Sequence, residues 1–149
     1  MSEGMQFRVN AVPAGQGSKR HMGRGILIDD NRPALKSWRE AVRSEAQRAM
    51  ELGAEPLLTG PIRLRVIAIM PRPKAHFRTG KHADKLRPDA PMYVASTPDL
   101  DKVARSIGDA LTDAGAWHDD RQVAHLDIEQ RYAAPGEAPG ALITITPLY

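Results

Sequence analysis

Two pairs of aspartates bracket one stretch of this chain, PDLDKVARSIGDALTDAGAWHDDRQV from Pro98 to Val123: Asp99 and Asp101 at its start, Asp119 and Asp120 near its end. Carboxylate oxygens are the ligands that hard cations such as Mg²⁺ or Mn²⁺ take, and an ion so held can activate water and polarise a phosphodiester. The residue types therefore point to a metal-dependent nuclease. Each aspartate alone has a plainer explanation, because an acid in a helix's first turn favours the macrodipole and one beside a turn caps its own backbone. The combination is less ordinary: a DxD, a basic residue one turn later and a DD past the helix are what carboxylate coordination at two places needs. It requires the fold to bring 99–101 against 119–120.

Leu100, Val103, Ala104, Ile107, Ala110, Leu111 and Ala114 make an apolar stripe at helical spacing, with Gly115 as the stop. Thr97 is the expected N-cap and Pro98 the expected first-turn residue. Asp101, Arg105 and Asp109 fall on the accessible side of that helix at steps of four. Two helical residues two apart point about 200° from each other. Asp99 can share an ion with Asp101 only where the chain at Asp99 is still extended or turning.

The remaining elements must hold this segment in place. Met5, Phe7, Val9 and Ala11 alternate with polar residues as a half-buried strand, and Ile26 to Ile28 read as a second strand after a Gly-rich basic turn, the two forming a hairpin arm. Leu35, Trp38, Val42, Ala46, Ala49 and Leu52 define a first helix from Pro33 to Gly53, with Trp38 in the core; Trp117 is left as a core or dimer residue. Ile62 to Met70 becomes apolar on both faces, as a central strand does. Residues 71–97 show no period, and a loop of that length is functional or disordered. Ala124, Leu126 and Ile128 alternate with His125, Asp127 and Glu129; a Pro/Gly turn then leads to a strand over 141–148, which predicts an antiparallel hairpin. The order β-β-α-β-loop-α-β-β predicts one α+β domain over 1–149, with a small mixed, largely antiparallel sheet and two main helices.

Composition bounds the function. Lys and Arg total 21 against 18 Asp and Glu, for a net charge of +3, a mild basic balance compatible with nucleic acid. The chain has no cysteine, and its five histidines show no HxxxH pairing, so zinc is not expected. No apolar run is long enough to span a membrane and no N-terminal signal pattern is present, so a cytoplasmic protein is expected. Between Arg72 and Arg87 there are six Lys or Arg to one acid, with Phe77 among them. Such an arm can release counterions from a phosphate backbone and stack on a base.

The segment 98–123 resembles the signature of the RusA family of Holliday junction resolvases, in which a PDxDN, a Lys on the next turn, a DAL and a DDxQV follow in this order and spacing. The strand-helix-strand before it and the expected closing hairpin resemble the family's outline over most of the chain. The resemblance implies that Asp99, Asp101 and Asp120 bind the divalent ion, with Asp119 able to assist or replace Asp120, and that the enzyme is a homodimer nicking two strands of a four-way junction symmetrically. Two positions depart from the pattern: Lys102 stands where the family has Asn, and Arg105 where it has its catalytic Lys. Arginine keeps the positive charge but with a pKa above about 12 cannot trade protons, so it can replace the lysine only electrostatically.

On this reading Asp99, Asp101 and Asp120 hold Mg²⁺ or Mn²⁺, Arg105 steadies the added charge, and Lys19, Arg20, Arg24, Arg72, Lys74, Arg78, Lys81 and Lys102 grip flanking phosphates, which positions DNA without reading its sequence. A rival reading is a branched-DNA binding protein of the same fold that cuts weakly or not at all. A nucleotide-sugar enzyme using the DxD is disfavoured by the short chain and by the lack of a Gly-rich phosphate loop between strand and helix.

Overall fold

The computed structural model describes residues 4–16, 19–21, 27–29, 32–53 and 57–149. Its core is a four-stranded sheet in the order β1-β6-β4-β5, formed by β1 (Met5–Val9), β4 (Ile62–Met70), β5 (Val123–Tyr132) and β6 (Gly140–Pro147). Two helices, α1 (Arg32–Gly53) and α2 (Leu100–Ala114), pack on each other beside it. A separate two-stranded ribbon joins β2 (Lys19–His21) to β3 (Leu27–Asp29). The class is the expected α+β with a mixed sheet.

β4 is central for the reason its sequence gives. Ile62, Leu64, Val66 and Ala68 are buried toward the helices, and Ile69 is buried on the other face. It pairs antiparallel with β6 and parallel with β5. The expected hairpin between β5 and β6 is therefore not formed: the Pro/Gly turn joins strands that flank β4 rather than each other. A parallel neighbour needs a crossover, and the stretch from Met70 through α2 to Val123 supplies it. The first strand also pairs differently from expectation. β1 lies against β6, Phe7 opposite Ile143, while the arm is built from β2 and β3 alone and adds a strand to the expected order.

On α1, Leu35, Trp38, Val42 and Ala46 are buried as their spacing predicts, but Leu52 is 79% exposed at the last turn and does not join the core. On α2, Val103, Ile107, Ala110, Leu111 and Ala114 are buried, and Gly115 ends the helix with φ 81°, the left-handed conformation that glycine takes without a Cβ penalty. Trp38 and Trp117 are both core residues. Trp38 donates from Nε1 to Ser106 Oγ at 3.0 Å, and that hydroxyl donates toward Ala14 O and Val103 O, each at 2.8 Å. The fully buried Ser106 thus ties α1, α2 and the chain leading to the arm, with every polar atom paired.

Segment 71–97 holds no α-helix or strand, as its lack of period predicts, yet it is internally bonded. It has two short 3₁₀ turns, at Lys74–His76 and Gly80–His82, and antiparallel bridges from Phe77 to Leu86 and from Tyr93 to Arg131. Among the described residues no helix is long and apolar enough to cross a membrane.

Candidate functional site

Helix α2 and its two flanks carry the expected site aspartates. Its N-cap is Asp99, not the expected Thr97, with φ −65° and ψ 140°. The chain at Asp99 is extended, the condition for its side chain to leave the helical 200° relation to Asp101. The Asp99 carbonyl accepts from the amides of Lys102 and Val103, both at 3.1 Å, while its carboxylate caps no helix amide. That carboxylate stays more than half exposed, 3.7 Å from Lys102 Nζ. Asp101 and Arg105 are exposed one turn apart.

This start of the helix is held from two sides. Gln130 of β5, itself buried, donates from Nε2 to Pro98 O at 3.0 Å. On the other side Gln16 donates its amide to Lys102 O at 2.9 Å, and a Cβ at Gly15 would lie 3.0 Å from Lys102 Cβ and 3.2 Å from that of Pro98. Any larger residue there would make the neighbouring side chains give way by a few tenths of an ångström. The chain leading to the β2–β3 arm therefore leaves the body of the protein beside Asp99 and Lys102.

The second aspartate pair lies past the far end of the same helix. Asp119 caps a short 3₁₀ turn, Asp120–Gln122, accepting from Arg121 N at 2.8 Å. Gln122 closes the turn from the other direction. Its Oε1 accepts from the amides of His118 at 2.8 Å and Asp119 at 3.1 Å, and its Nε2 donates to Leu58 O at 2.9 Å and Gly60 O at 3.0 Å. One side chain thus fastens the aspartate turn to the segment leading into β4. Asp120 lies against α2 at Gly108, where an added Cβ would come 3.8 Å from its own Cβ. Together with Arg39, Asp109, Thr112, Asp113 and Asp119 it lines a cleft of about 210 Å³, in which Arg39 is paired with Asp113 at 2.8 Å.

The electrostatics of the two neighbours diverge. Hydrogen bonds from the amide and side chain of Arg121 hold the Asp119 carboxyl below the usual carboxylate range. The Asp119 side chain beside it, then burial, then the charges of Asp119 and Asp109 push the Asp120 carboxyl up. Like charges crowded in this way are relieved by a proton or by a cation.

The strand after Asp120 reaches the start of α2 through Gln130, not through Asp120. Asp120 itself sits level with Gly108, about 10 Å along the helix from Asp101 at the usual rise per residue. Among the described residues no three of His, Cys, Asp and Glu are placed to share one ion. The structure brings Asp119 and Asp120 together with Asp109, and leaves Asp99 and Asp101 at their own level with Arg105 between. In kind, the exposed carboxylate oxygens suit a hard divalent ion. Asp109 was visible in the sequence as the third member of the Asp101–Arg105 row. Gln122 and Gln130 gave no comparable signal, because an amide acts through whichever backbone groups the fold sets beside it.

The basic residues divide into groups. Lys102 is engaged with Asp99. Arg72 is turned inward: its guanidinium donates to Ala133 O at 3.0 Å and to Pro91 O, and lies 5.2 Å from the centre of the Tyr132 ring. Arg78 donates from Nε to Leu86 O at 3.1 Å but stays exposed, and Lys74 and Lys81 are exposed on the two 3₁₀ turns. Lys19 and Arg20 lie on β2, their side chains outside the described residues, and Arg24 lies outside them altogether.

In a comparison with known families, the family described as "Endodeoxyribonuclease RusA" matches residues 9–146, nearly the whole chain. No curated protein matches it.

Proposed function

The chain belongs to the RusA family of endodeoxyribonucleases, and from that premise we propose that it resolves four-way DNA junctions by metal-dependent hydrolysis, nicking paired strands as a homodimer. The observation that carries the reading is the row on the open side of α2. Asp101, Arg105 and Asp109 follow at one-turn steps, Asp99 is extended with its carboxylate uncommitted to capping, and Asp120 is packed beside Asp109.

Asp99 and Asp101 would hold a Mg²⁺ or Mn²⁺ ion at the start of the helix, and Asp120, with Asp119 beside it, would offer carboxylate oxygens at the second level. When bound, such an ion supplies an activated water and a Lewis acid for the scissile phosphate. Arg105 projects between the two levels. Its guanidinium is always protonated, so its part is to donate hydrogen bonds to phosphate oxygens as negative charge builds on them, not to move a proton. Gln130 and Gln122 keep the two ends of the row in place through Pro98 O and the 118–122 turn. Exposed Lys74, Lys81 and Arg78, with Lys19, Arg20 and Arg24 of the arm, would contact flanking phosphates and make binding salt-dependent. Lys102, beside Asp99, would contact a neighbouring phosphate.

Two subunits related by a two-fold axis suit a junction of approximate two-fold symmetry. One observation favours the rival reading of a junction binder that cuts poorly: the carboxylate levels are separated along α2. Cleavage of a synthetic four-way junction beside a linear duplex of the same sequence, in Mg²⁺, Mn²⁺ or EDTA, separates the two. The nuclease reading expects junction nicks that need metal and vanish in Asp101→Asn; tight junction binding with no nicks in either metal selects the binding protein.

A further inference from the structure

The acidic row on α2 continues past Asp109 to Asp113, one further step of four residues. Four residues turn a helix by about 400°, so each step carries the row about 40° around the axis. At Asp113 it lies about 120° round from Asp101, on the flank of α2 that meets α1. There Arg39 of α1 donates from Nη2 to Asp113 Oδ2 at 2.8 Å. Its neighbour Trp38 is bonded to Ser106, so the root of the Arg39 side chain is held against α2. Among the described residues Arg39 is the basic side chain of the aspartate cleft, which Thr112 and four aspartates otherwise line.

The same side chain also lines a second cleft, which shares Asp113 with the first. That cleft, of about 430 Å³, is lined by Lys36, Arg39 and Arg43 with Leu35, Glu40 and Asp113. Lys36, Arg39 and Arg43 stand at i, i+3 and i+7, within about 60° of one another around α1. Lys36 and Arg43 are exposed, and among the described residues neither has an ion-pair partner. Asp113 engages one nitrogen of the Arg39 fork, whose side chain is 30% exposed, and among the described residues no other acceptor is bonded to that guanidinium. Three cations meet two acids in this cleft, and the middle cation also reaches the aspartate cleft. That arrangement favours an anion lying across α1.

We propose that this face of α1 is a phosphate track, in which Arg39 holds a DNA backbone phosphate beside the cleft of Asp109 and Asp120, and Lys36 and Arg43 hold its neighbours along the strand. The proposal rests on the nuclease reading and deepens it, by assigning three DNA contacts outside the basic segment and the arm. Segment 71–97 leads into the start of α2, whereas the track lies by its far end. The two therefore grip the backbone on either side of the aspartate row. Asp113 keeps Arg39 turned toward the row before DNA arrives, and a guanidinium can hold that carboxylate and a phosphate at once through separate N–H groups. A tie between the helices alone would need neither Lys36 nor Arg43.

The test is binding of a four-way junction by the full chain in EDTA, followed by fluorescence anisotropy over a range of salt. Lys36→Gln, Arg39→Gln and Arg43→Gln are each expected to weaken binding by about threefold or more at low salt, and to lower the slope of log affinity against log salt by about one. Arg48→Gln removes the same charge from an exposed position of α1 about 180° round from Arg39, and is expected to leave that slope as it is. Arg39→Gln combined with Asp113→Asn deletes the ion pair at constant net charge. Its slope is expected to fall as in Arg39→Gln, whereas a mere tie between helices would lower Tm in both and leave the slope unchanged. Because no metal is present, the slopes are read whether or not wild type nicks the junction, and a failure of the nuclease reading is scored separately by cleavage. Slopes equal to wild type in the three track variants, an equal fall in Arg48→Gln, or a wild type that does not bind the junction would each overturn the proposal.

Discussion

Replacing Gln122 with methionine keeps the side chain's length and volume while removing four hydrogen bonds to backbone groups, those of His118, Asp119, Leu58 and Gly60. A typical net contribution is about 0.5–1.5 kcal/mol per bond. His118 and Gly60 are exposed and recover water when the amide is lost, so the sum belongs at the low end, about 2 kcal/mol. For a chain of this size that is a fall of about 4–8 °C in Tm, measurable by thermal or urea unfolding. Gln122→Glu sharpens the test. At neutral pH the introduced carboxylate faces two carbonyl oxygens and lies near Asp119 and Asp120, so this variant is expected to be less stable than the methionine one. Acidification protonates the new carboxyl, gives the carbonyls a donor again and narrows the gap. Unfolding of both variants within about 0.5 kcal/mol of wild type, the range of an ordinary surface change, would refute the clamp.

Other perturbations probe separate parts of the structure. Glu137 accepts from Arg131 at 2.7 and 3.0 Å and from the amide of Ala134 at 2.9 Å, and the Arg131 guanidinium above all lowers its pKa from 4.5 to about 2. Its stabilisation is thus present above pH about 4.5 and lost as pH falls through about 2. With a quarter of the carboxyl exposed, Glu137→Gln is expected to cost about 2 kcal/mol at neutral pH, and urea unfolding against pH should show the difference vanishing in acid. Ser106→Ala leaves the buried Trp38 N–H without its acceptor and should destabilise by about 1–3 kcal/mol, read by denaturation followed by tryptophan fluorescence. Arg105→Ala is expected to slow junction cleavage by about a hundredfold or more with little change in junction affinity, while Arg105→Lys keeps most activity; equal losses in both would contradict a purely electrostatic role.

Much of this could be read from side-chain spacing, and what could not depended on partners that spacing does not name. Trp38, Val42 and Ala46 marked α1, Gly115 marked the end of α2, and the apolar faces of β4 marked it as central. The short Pro/Gly turn between β5 and β6 read as a hairpin because sequence proximity usually means pairing; β4 inserts between them because only the middle of the sheet buries a strand apolar on both faces. The alternation of Ala124, Leu126 and Ile128 read as a half-buried strand, whereas Ala124 and Leu126 are exposed at an edge. The bonds within 71–97 have no period to detect, since arginine side chains and 3₁₀ turns close them. At the candidate site the expected cap, Thr97, lies two residues early, because the chain stays extended through Asp99. The height at which Asp120 meets α2 depends on the path of residues 115–119, which no spacing rule contains.

The most direct measurement is strand-resolved mapping of nicks on a four-way junction labelled in turn on each of its strands, with Mn²⁺ or Mg²⁺ present. Nicks at symmetric positions in two opposed strands, lost in Asp101→Asn and in Asp120→Asn while both variants still bind the junction, are the expected result. Nicks scattered over all four strands, or cleavage that persists in both variants, would contradict the assignment of this aspartate row as the centre of a junction resolvase.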